Sequence, residues 1–382
     1  MLSKILSFAG IFTLSVVAHA QQVLIPAPPQ LAATGYLLLD ADTGEVLVEH
    51  NADEQLPPAS LTKMMTSYIV TNELEHGRLG EQDLVNVSVK AWKMGGSKMF
   101  VREGTQVPVM DLLRGVIIQS GNDASVALAE HIAGGEDAFA DVMNQSARLL
   151  GMNNTHFVNS TGWPAEGHLT TARDLALLAK AIIEDHPQYY PLYAEKYFEY
   201  NEINQPNRNR LLFRDATVDG LKTGHTEAAG YCLVASAKRN NMRLISVVMG
   251  TKTESSRAAE TQKLLAYGFR YFENATLYSA GAELESAPVW YGKSDRVALS
   301  VDEDVIMTIP RGSRDNIEAN LTVAETLKAP IAKGDELGQL ILTLNGETLA
   351  TLPVVASHEV EQAGLFARLI DAIKLFIASL LS

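Results

Sequence analysis

Ser60 and Lys63 stand three residues apart in the stretch Pro57-Pro58-Ala59-Ser60-Leu61-Thr62-Lys63-Met64-Met65. On a helix that spacing puts both side chains on one face. A serine hydroxyl is a weak nucleophile until a base takes its proton, and a neutral lysine amine within reach is such a base. Leu61, Met64, Met65, Tyr68, Ile69 and Val70 make the helix apolar, with Lys63 almost its only charge. A lysine on the first turn of such a helix is costly unless something uses it. For so short a pattern, a chance Ser-x-x-Lys on a surface helix is the plain alternative. Two further patterns bear on the choice. Ser120-Gly121-Asn122 and Lys222-Thr223-Gly224 each read more simply as turns when taken alone. All three in this order, on a helix start, an inter-helix loop and a strand, make one strong signal.

The elements that must position these residues follow from local pattern. Pro57 and Pro58 cannot lie inside a helix and hold the chain extended before Ser60. Val109 to Ile118 is apolar and helical, and a second helix starts near Asp123. Ser120 and Asn122 therefore sit on a loop where side chains can face a cleft. Asp137 to Leu150 predicts another amphipathic helix, Asn153 to Thr170 a long loop, and Thr171 to Asp185 a helix capped by Thr170 or Thr171. Gly35 to His50 predicts a hairpin around Asp40-Ala41-Asp42-Thr43-Gly44. Tyr231 to Ala237 and Leu244 to Met249, joined at Asn240-Asn241, predict the antiparallel centre of a sheet. Ser256 to Phe272 reads as a helix. Beyond Asn274 the helical period stops, and short alternating strands predict a small all-β domain over 275–356, with Asn345-Gly346 as its clearest hairpin turn.

At the two ends the pattern changes again. Lys4, the apolar run Ile5 to Val17 and Ala18-His19-Ala20 predict a signal peptide over 1–20, hence export. From Gly364 to Leu381, Phe366, Leu369, Ile370, Ile373, Phe376, Ile377, Leu380 and Leu381 share one helical face, with Arg368, Asp371 and Lys374 opposite. About eighteen residues nearly span a bilayer, which needs about twenty. Each mid-bilayer charge would cost about 3 kcal/mol, so a helix lying flat in the interface is the better expectation. The alternative is a helix docked on the β-domain.

Composition narrows the function classes. The 382 residues are 47% hydrophobic and 20% charged, ordinary for a globular chain of two domains. A net charge of −14 argues against nucleic acid as a partner. Cys232 is the one cysteine, which excludes an intramolecular disulfide or a multi-cysteine metal site; a small buried apolar residue is its simplest reading. Export without disulfides is consistent with a bacterial periplasm. His156, His168 and His186 have no metal-ligand spacing and read as ordinary loop residues.

The three motifs resemble those of the penicillin-recognising serine enzymes, the β-lactamases and penicillin-binding proteins. Two longer stretches are similar to the low-molecular-weight D-alanyl-D-alanine carboxypeptidases: Lys222-Thr223-Gly224-His225-Thr226-Glu227-Ala228-Ala229-Gly230-Tyr231-Cys232, and Ser120 to Glu130. The β-domain and amphipathic tail also fit, so the resemblance covers essentially the whole chain. It implies that Ser60 Oγ attacks the bond between two D-alanines and that Lys63 takes its proton, with burial and Lys222 as a second cation both lowering the Lys63 pKa. Ser120 would relay protons, and the Asn122 amide would hold the substrate backbone. Lys222, Thr223 and Gly224 would lie on a strand that pairs with the extended peptide. The backbone N–H groups of Ser60 and His225 would form the oxyanion hole. Arg257 matches the family's carboxylate-reading position; Arg208 is either a second such cation or a solvated charge.

The implied fold is α/β (α+β): an antiparallel sheet flanked by helices, with an all-helical lobe inserted between Ser60 and roughly Asp185. A catalytic domain over 21–274, the β-domain over 275–356 and a membrane-anchor helix over 357–382 would follow the signal peptide. The expected partners are a peptidoglycan pentapeptide, β-lactams as covalent inhibitors, and a membrane surface at the periplasmic face of the inner membrane; no cofactor or metal is expected. Glu166-Gly167-His168-Leu169-Thr170 lacks the asparagine of the class A β-lactamase motif Glu-x-x-Leu-Asn. An efficient β-lactamase is therefore not expected, and penicillin should acylate Ser60 and leave slowly. Two rivals stand: a D,D-endopeptidase that cuts cross-links, and a non-catalytic scaffold that binds cell-wall strands.

Overall fold

A computed structural model describes residues 25–381; the expected signal peptide lies outside the described residues. Strands β1 (Gly35–Asp40) and β2 (Val46–His50) form the expected hairpin. A single 3-10 turn, Ala59–Thr62, runs into helix α1 (Lys63–Glu75). The lobe that follows holds β3 (Leu84–Asn86), α2 (Val89–Lys93), β4 (Gln106–Pro108), α3 (Val109–Arg114), α4 (Asn122–Ala133), α5 (Glu136–Leu149) and α6 (Ala172–Glu184). It is mainly helical, but the expectation of an all-helical lobe needs correction. β3 and β4 pair antiparallel with Val85 opposite Val107, both buried. Strands of three residues are too short for alternation to register in a sequence. Thr171 is the N-cap of α6, its hydroxyl accepting the Asp174 N–H at 3.1 Å.

A small hairpin, β5 (Tyr197–Tyr200) and β6 (Ile203–Pro206), precedes three long strands, β7 (Val218–Thr226), β8 (Gly230–Arg239) and β9 (Met242–Thr251). With the first hairpin these build a five-stranded antiparallel sheet in the order β2-β1-β9-β8-β7. Side chains alternate between its faces. Leu37, Leu39, Ile245 and Val247 join the core of the helical lobe. On the other side, Leu38 and Leu244 lie close under Gly268 of helix α7 (Glu254–Tyr271). Both faces are covered, which is why β1 and β9 read as nearly unbroken apolar runs. Each such leucine contributes about 1.5–3 kcal/mol on burial. β7 is an edge strand whose only sheet neighbour is β8.

The remaining strands are β10 (Phe272–Tyr278), β11 (Glu283–Trp290), β12 (Arg296–Ser300), β13 (Val305–Pro310), β14 (Ile317–Val323), β15 (Leu327–Lys328), β16 (Glu336–Leu344) and β17 (Glu347–Ala356), followed by helix α8 (Leu365–Leu381). The described chain forms two compact units, 26–284 with 300–311, and 285–299 with the chain from 312 on. In the first, β10 pairs with β13. The second is built on a six-stranded sheet in the order β14-β16-β17-β12-β11-β15. Asn345 and Gly346, both at positive φ, make its two-residue turn between β16 and β17. In this unit Arg368 and Asp371 of α8 are half-buried, and Asp371 Oδ2 accepts the Tyr291 N–H at 3.0 Å. Leu365, Phe366, Leu369, Ile370, Ile373 and Ile377 are exposed. No helix among the described residues is long and apolar enough to cross a membrane.

Candidate active site

Ser60 lies on the 3-10 turn and Lys63 is the first residue of α1, so their spacing closes over one turn and brings Lys63 Nζ to 3.0 Å from Ser60 Oγ. Lys63 is fully buried. Its amine donates to Asn122 Oδ1 at 2.7 Å and to the Thr161 carbonyl at 2.6 Å. A neutral amine has two N–H bonds and one lone pair. With both N–H bonds committed to these acceptors, the lone pair is left for the Ser60 hydroxyl. Burial pulls the Lys63 pKa down to about 7, against the opposing charge of Asp123. The ionisation of the amine is thereby brought close to neutral pH.

Two close backbone approaches hold the turn. Gly162, at φ +81°, passes so near Ala59 that a Cβ would sit 1.7 Å from the Ala59 carbonyl oxygen. Gly224 of β7 would put a Cβ 3.0 Å from the Pro58 oxygen and 3.2 Å from Leu61 Cγ. The loop carrying Gly162 is folded by Asn159, whose Oδ1 accepts the N–H groups of Thr161, Gly162 and Trp163. Thr66 Oγ1 donates to the Ser160 carbonyl at 2.7 Å, which fixes the same loop to α1.

α3 continues into a π-helical turn, Gly115–Gln119, and ends at Ser120 in the left-handed region at φ +62°. π-turns of this kind cluster at functional sites. Ser120 is buried, yet among the described residues its hydroxyl has no hydrogen-bond partner. Asn122 opens α4; its Oδ1 takes the Lys63 bond and its Nδ2 donates to the Gly95 carbonyl at 2.7 Å. The amide is thus held at both ends, between the Lys63 amine and the Gly95 carbonyl. Buried Asp123 accepts the N–H groups of Met99, Phe100 and Val101, which ties the 97–101 segment to the start of α4.

Lys222 on β7 is buried, and its amine donates to the Thr223 carbonyl at 3.2 Å. Burial first, then the charges of Lys63, Arg208 and Arg257, push its pKa well below the ordinary lysine range. Burial is the main cause at both lysines, and the two amines also act on each other as like charges. Thr223 and Gly224 are buried beside it, while His225 is exposed and stacks on Tyr231 at 3.9 Å. A cleft of about 430 Å³ opens over Ser60 between Gly96, Asn122 and Gly162 on one side and Arg208, His225 and Thr226 on the other. Arg208 is exposed within it. Arg257 is not among the residues lining it; it is buried behind β7, donating to the Gly224 carbonyl at 3.3 Å and facing Glu254 and the Tyr231 ring.

Several participants escape a motif search. Thr161 acts through its carbonyl, which no side-chain pattern reveals; the turn-forming run Asn159-Ser160-Thr161-Gly162 is the only signal. His168 is no ordinary loop residue: it is buried, with Nε2 2.8 Å from Thr62 Oγ1 and Nδ1 accepting the Val158 N–H at 3.1 Å. His186 is buried too, bonded to Glu75 at 2.8 Å. Glu166 is exposed.

Residues 22–253 match the family described as D-alanyl-D-alanine carboxypeptidase, and residues 272–362 match the C-terminal domain of penicillin-binding protein 5. The chain is 46% identical over 370 residues to D-alanyl-D-alanine carboxypeptidase DacA of Escherichia coli K12, covering 94% of this chain and 92% of that protein. It is similar to the crystal structure of penicillin-binding protein 5 from Haemophilus influenzae, with a TM-score of 0.83, 43% identity, and 88% and 100% of the two chains covered. Penicillin-binding protein D2 of Listeria monocytogenes, crystallised with ampicillin bound, matches with a TM-score of 0.59 and 30% identity over 64% of this chain and 100% of that one.

Proposed function

The chain belongs to the D-alanyl-D-alanine carboxypeptidase family, and we propose that it is an exported serine enzyme that removes the terminal D-alanine from peptidoglycan pentapeptides. The observation that supports this most is the hydrogen-bonding of Lys63, whose two acceptors leave its lone pair for Ser60 Oγ. Ser60 Oγ attacks the carbonyl carbon of the penultimate D-alanine while its proton passes to Lys63. The oxyanion forms against the backbone N–H groups of Ser60 and His225, a type of contact typically worth about 3–4 kcal/mol each. Collapse breaks the C–N bond; the leaving D-alanine amine takes a proton relayed from Lys63 through Ser120. Water then cleaves the Ser60 ester with the same base. The substrate lies extended along the free edge of β7, beside Lys222, Thr223 and Gly224. Its carboxylate meets Arg208 in the cleft, with Arg257 supporting β7 from behind. A β-lactam enters the same path and remains as a slowly hydrolysed ester, which makes the protein a penicillin target in cell-wall remodelling.

The chain divides into a signal peptide over 1–20, a catalytic domain over 21–274, a β-domain over 275–356 and an anchor over 357–382. The half-buried Arg368 and Asp371 and the exposed apolar residues of α8 suit a helix lying in the outer surface of the inner membrane. Mass spectrometry after penicillin treatment tests the chemistry, with an adduct expected on Ser60. Assays on a pentapeptide and on a cross-linked dimer separate carboxypeptidase from endopeptidase. A protein that yields neither adduct nor free D-alanine would return the reading to a non-catalytic scaffold.

A further inference from the structure

His168 stands outside the motifs, yet it connects the long loop to the helix that carries the nucleophile and base. A backbone N–H can only donate, so the Val158 N–H at 3.1 Å requires an unprotonated Nδ1. The ring's one proton is then on Nε2 and is donated to Thr62 Oγ1, 2.8 Å away. Thr62 sits between Ser60 and Lys63, and the same loop delivers the Thr161 carbonyl to Lys63. The Phe157 ring packs edge-on against the imidazole, with centroids 5.8 Å apart. We propose that His168, as its neutral Nε2–H tautomer, is a positioning residue for acyl transfer that locks the loop 157–168 onto the Ser60 turn and so keeps the Thr161 carbonyl on the Lys63 amine.

The proposal rests on the reading of Lys63 as base. Burial first, then the charges of His156 and Lys63, hold the His168 pKa down to about 4, so the ring stays neutral and both hydrogen bonds persist across the working range. A doubly protonated ring would turn an N–H against the Val158 N–H and open the loop. The charged groups facing Lys63 are Asp123, which raises its pKa, and Lys222, which shares its surroundings. Opening the loop would admit water to Lys63 and relax the desolvation that depresses it. The Lys63 ionisation would then move toward the ordinary lysine value.

The test is the pH profile of Ser60 acylation by penicillin in wild type, His168→Phe, His168→Gln and Thr62→Val, with thermal melting alongside. His168→Phe keeps the ring volume and loses both nitrogens. Its acylation rate at pH 7 is expected to fall at least tenfold and its acidic limb to move up by about one pH unit. His168→Gln retains a donor for Thr62 and is expected to recover part of the rate and of the midpoint. If His168→Phe does not fold, Thr62→Val carries the test, with the same upward shift expected. A folded His168→Phe or Thr62→Val whose rate falls equally at every pH, or not at all, overturns the positioning role. A wild type without an acidic limb near neutrality would instead overturn the reading of Lys63 as base.

Discussion

Around Ser60 two lysines are buried, Lys63 at 0% and Lys222 at 2% exposure; along α8, leucine, isoleucine and phenylalanine side chains stand 50–86% exposed. Ordinary folding does the reverse, hiding apolar groups and leaving ammonium groups in water. In the cleft, desolvation lowers the pKa of an amine to about 7, and two fixed acceptors take its N–H bonds. On α8, Arg368 and Asp371 are half-buried, Asp371 accepting the Tyr291 N–H, while Leu365, Phe366, Leu369, Ile370 and Ile373 stand exposed. Each region departs from that ordinary partition.

If buried charge makes the cleft reactive, removing its nucleophile has the largest effect. Ser60→Ala is expected to melt normally and to show no penicillin adduct and no D-alanine release; normal labelling would sink the assignment. Lys63→Arg should fall as far as Lys63→Ala, about 10²–10⁴-fold in acylation, because arginine keeps charge but cannot shed a proton. Retention of wild-type rates by the arginine variant would reduce Lys63 to an electrostatic anchor. On the other side of the comparison, ending the chain after Gly364 should cut binding to anionic lipid vesicles at least 100-fold, since several side chains each worth about 1.5–3 kcal/mol are removed. Activity on a soluble pentapeptide should not change. A truncated protein that still sediments with vesicles breaks the contrast.

Smaller effects sharpen it. Arg208→Ala loses a charge-assisted bond worth about 1.5–3 kcal/mol, which is roughly 10–100-fold in kcat/KM on substrates with a free terminal carboxylate. The loss should vanish on an amidated peptide; equal losses on both substrates would remove Arg208 from carboxylate recognition. The smallest expected effect is on stability. Lys63 titrates near 7 when folded and near 10.4 when free, so between those values the unfolded chain binds more protons and unfolding becomes harder as pH rises. Compared with Lys63→Met, the wild type should gain a few degrees in melting temperature from pH 7 to pH 9. A difference independent of pH would mean that the amine is not desolvated in the folded state.

Strands β1, β8 and β9 were legible because both faces are buried, so apolar runs bounded by turn residues repeat without interruption. Asn345-Gly346 was legible because few dipeptides adopt two positive φ values. The β3–β4 pair was not, since three residues carry no period. The lobe's longer helices were legible from their 3.6-residue period, but the five-residue α2 was not, and neither was the π-turn before Ser120, because one extra residue per turn leaves the apolar pattern of Val109 to Ile118 intact. Sequence put Arg257 ahead of Arg208 as the carboxylate reader, whereas the structure exposes Arg208 in the cleft and buries Arg257 against the Gly224 carbonyl; which guanidinium faces the cleft depends on packing.

Sequence by itself determined which groups could react. Ser60 and Lys63 share a turn whatever the rest of the fold does, since a three-residue spacing is a local geometric fact, and the apolar face of α8 is written in its period. Only the tertiary structure decided the surroundings of the Lys63 amine. Its proton is destabilised by burial under segments far along the chain, and its lone pair is aimed by Asn122 and by a Thr161 carbonyl 98 residues away. Desolvation and backbone acceptors depend on what is packed nearby in space, and no residue type or spacing encodes them.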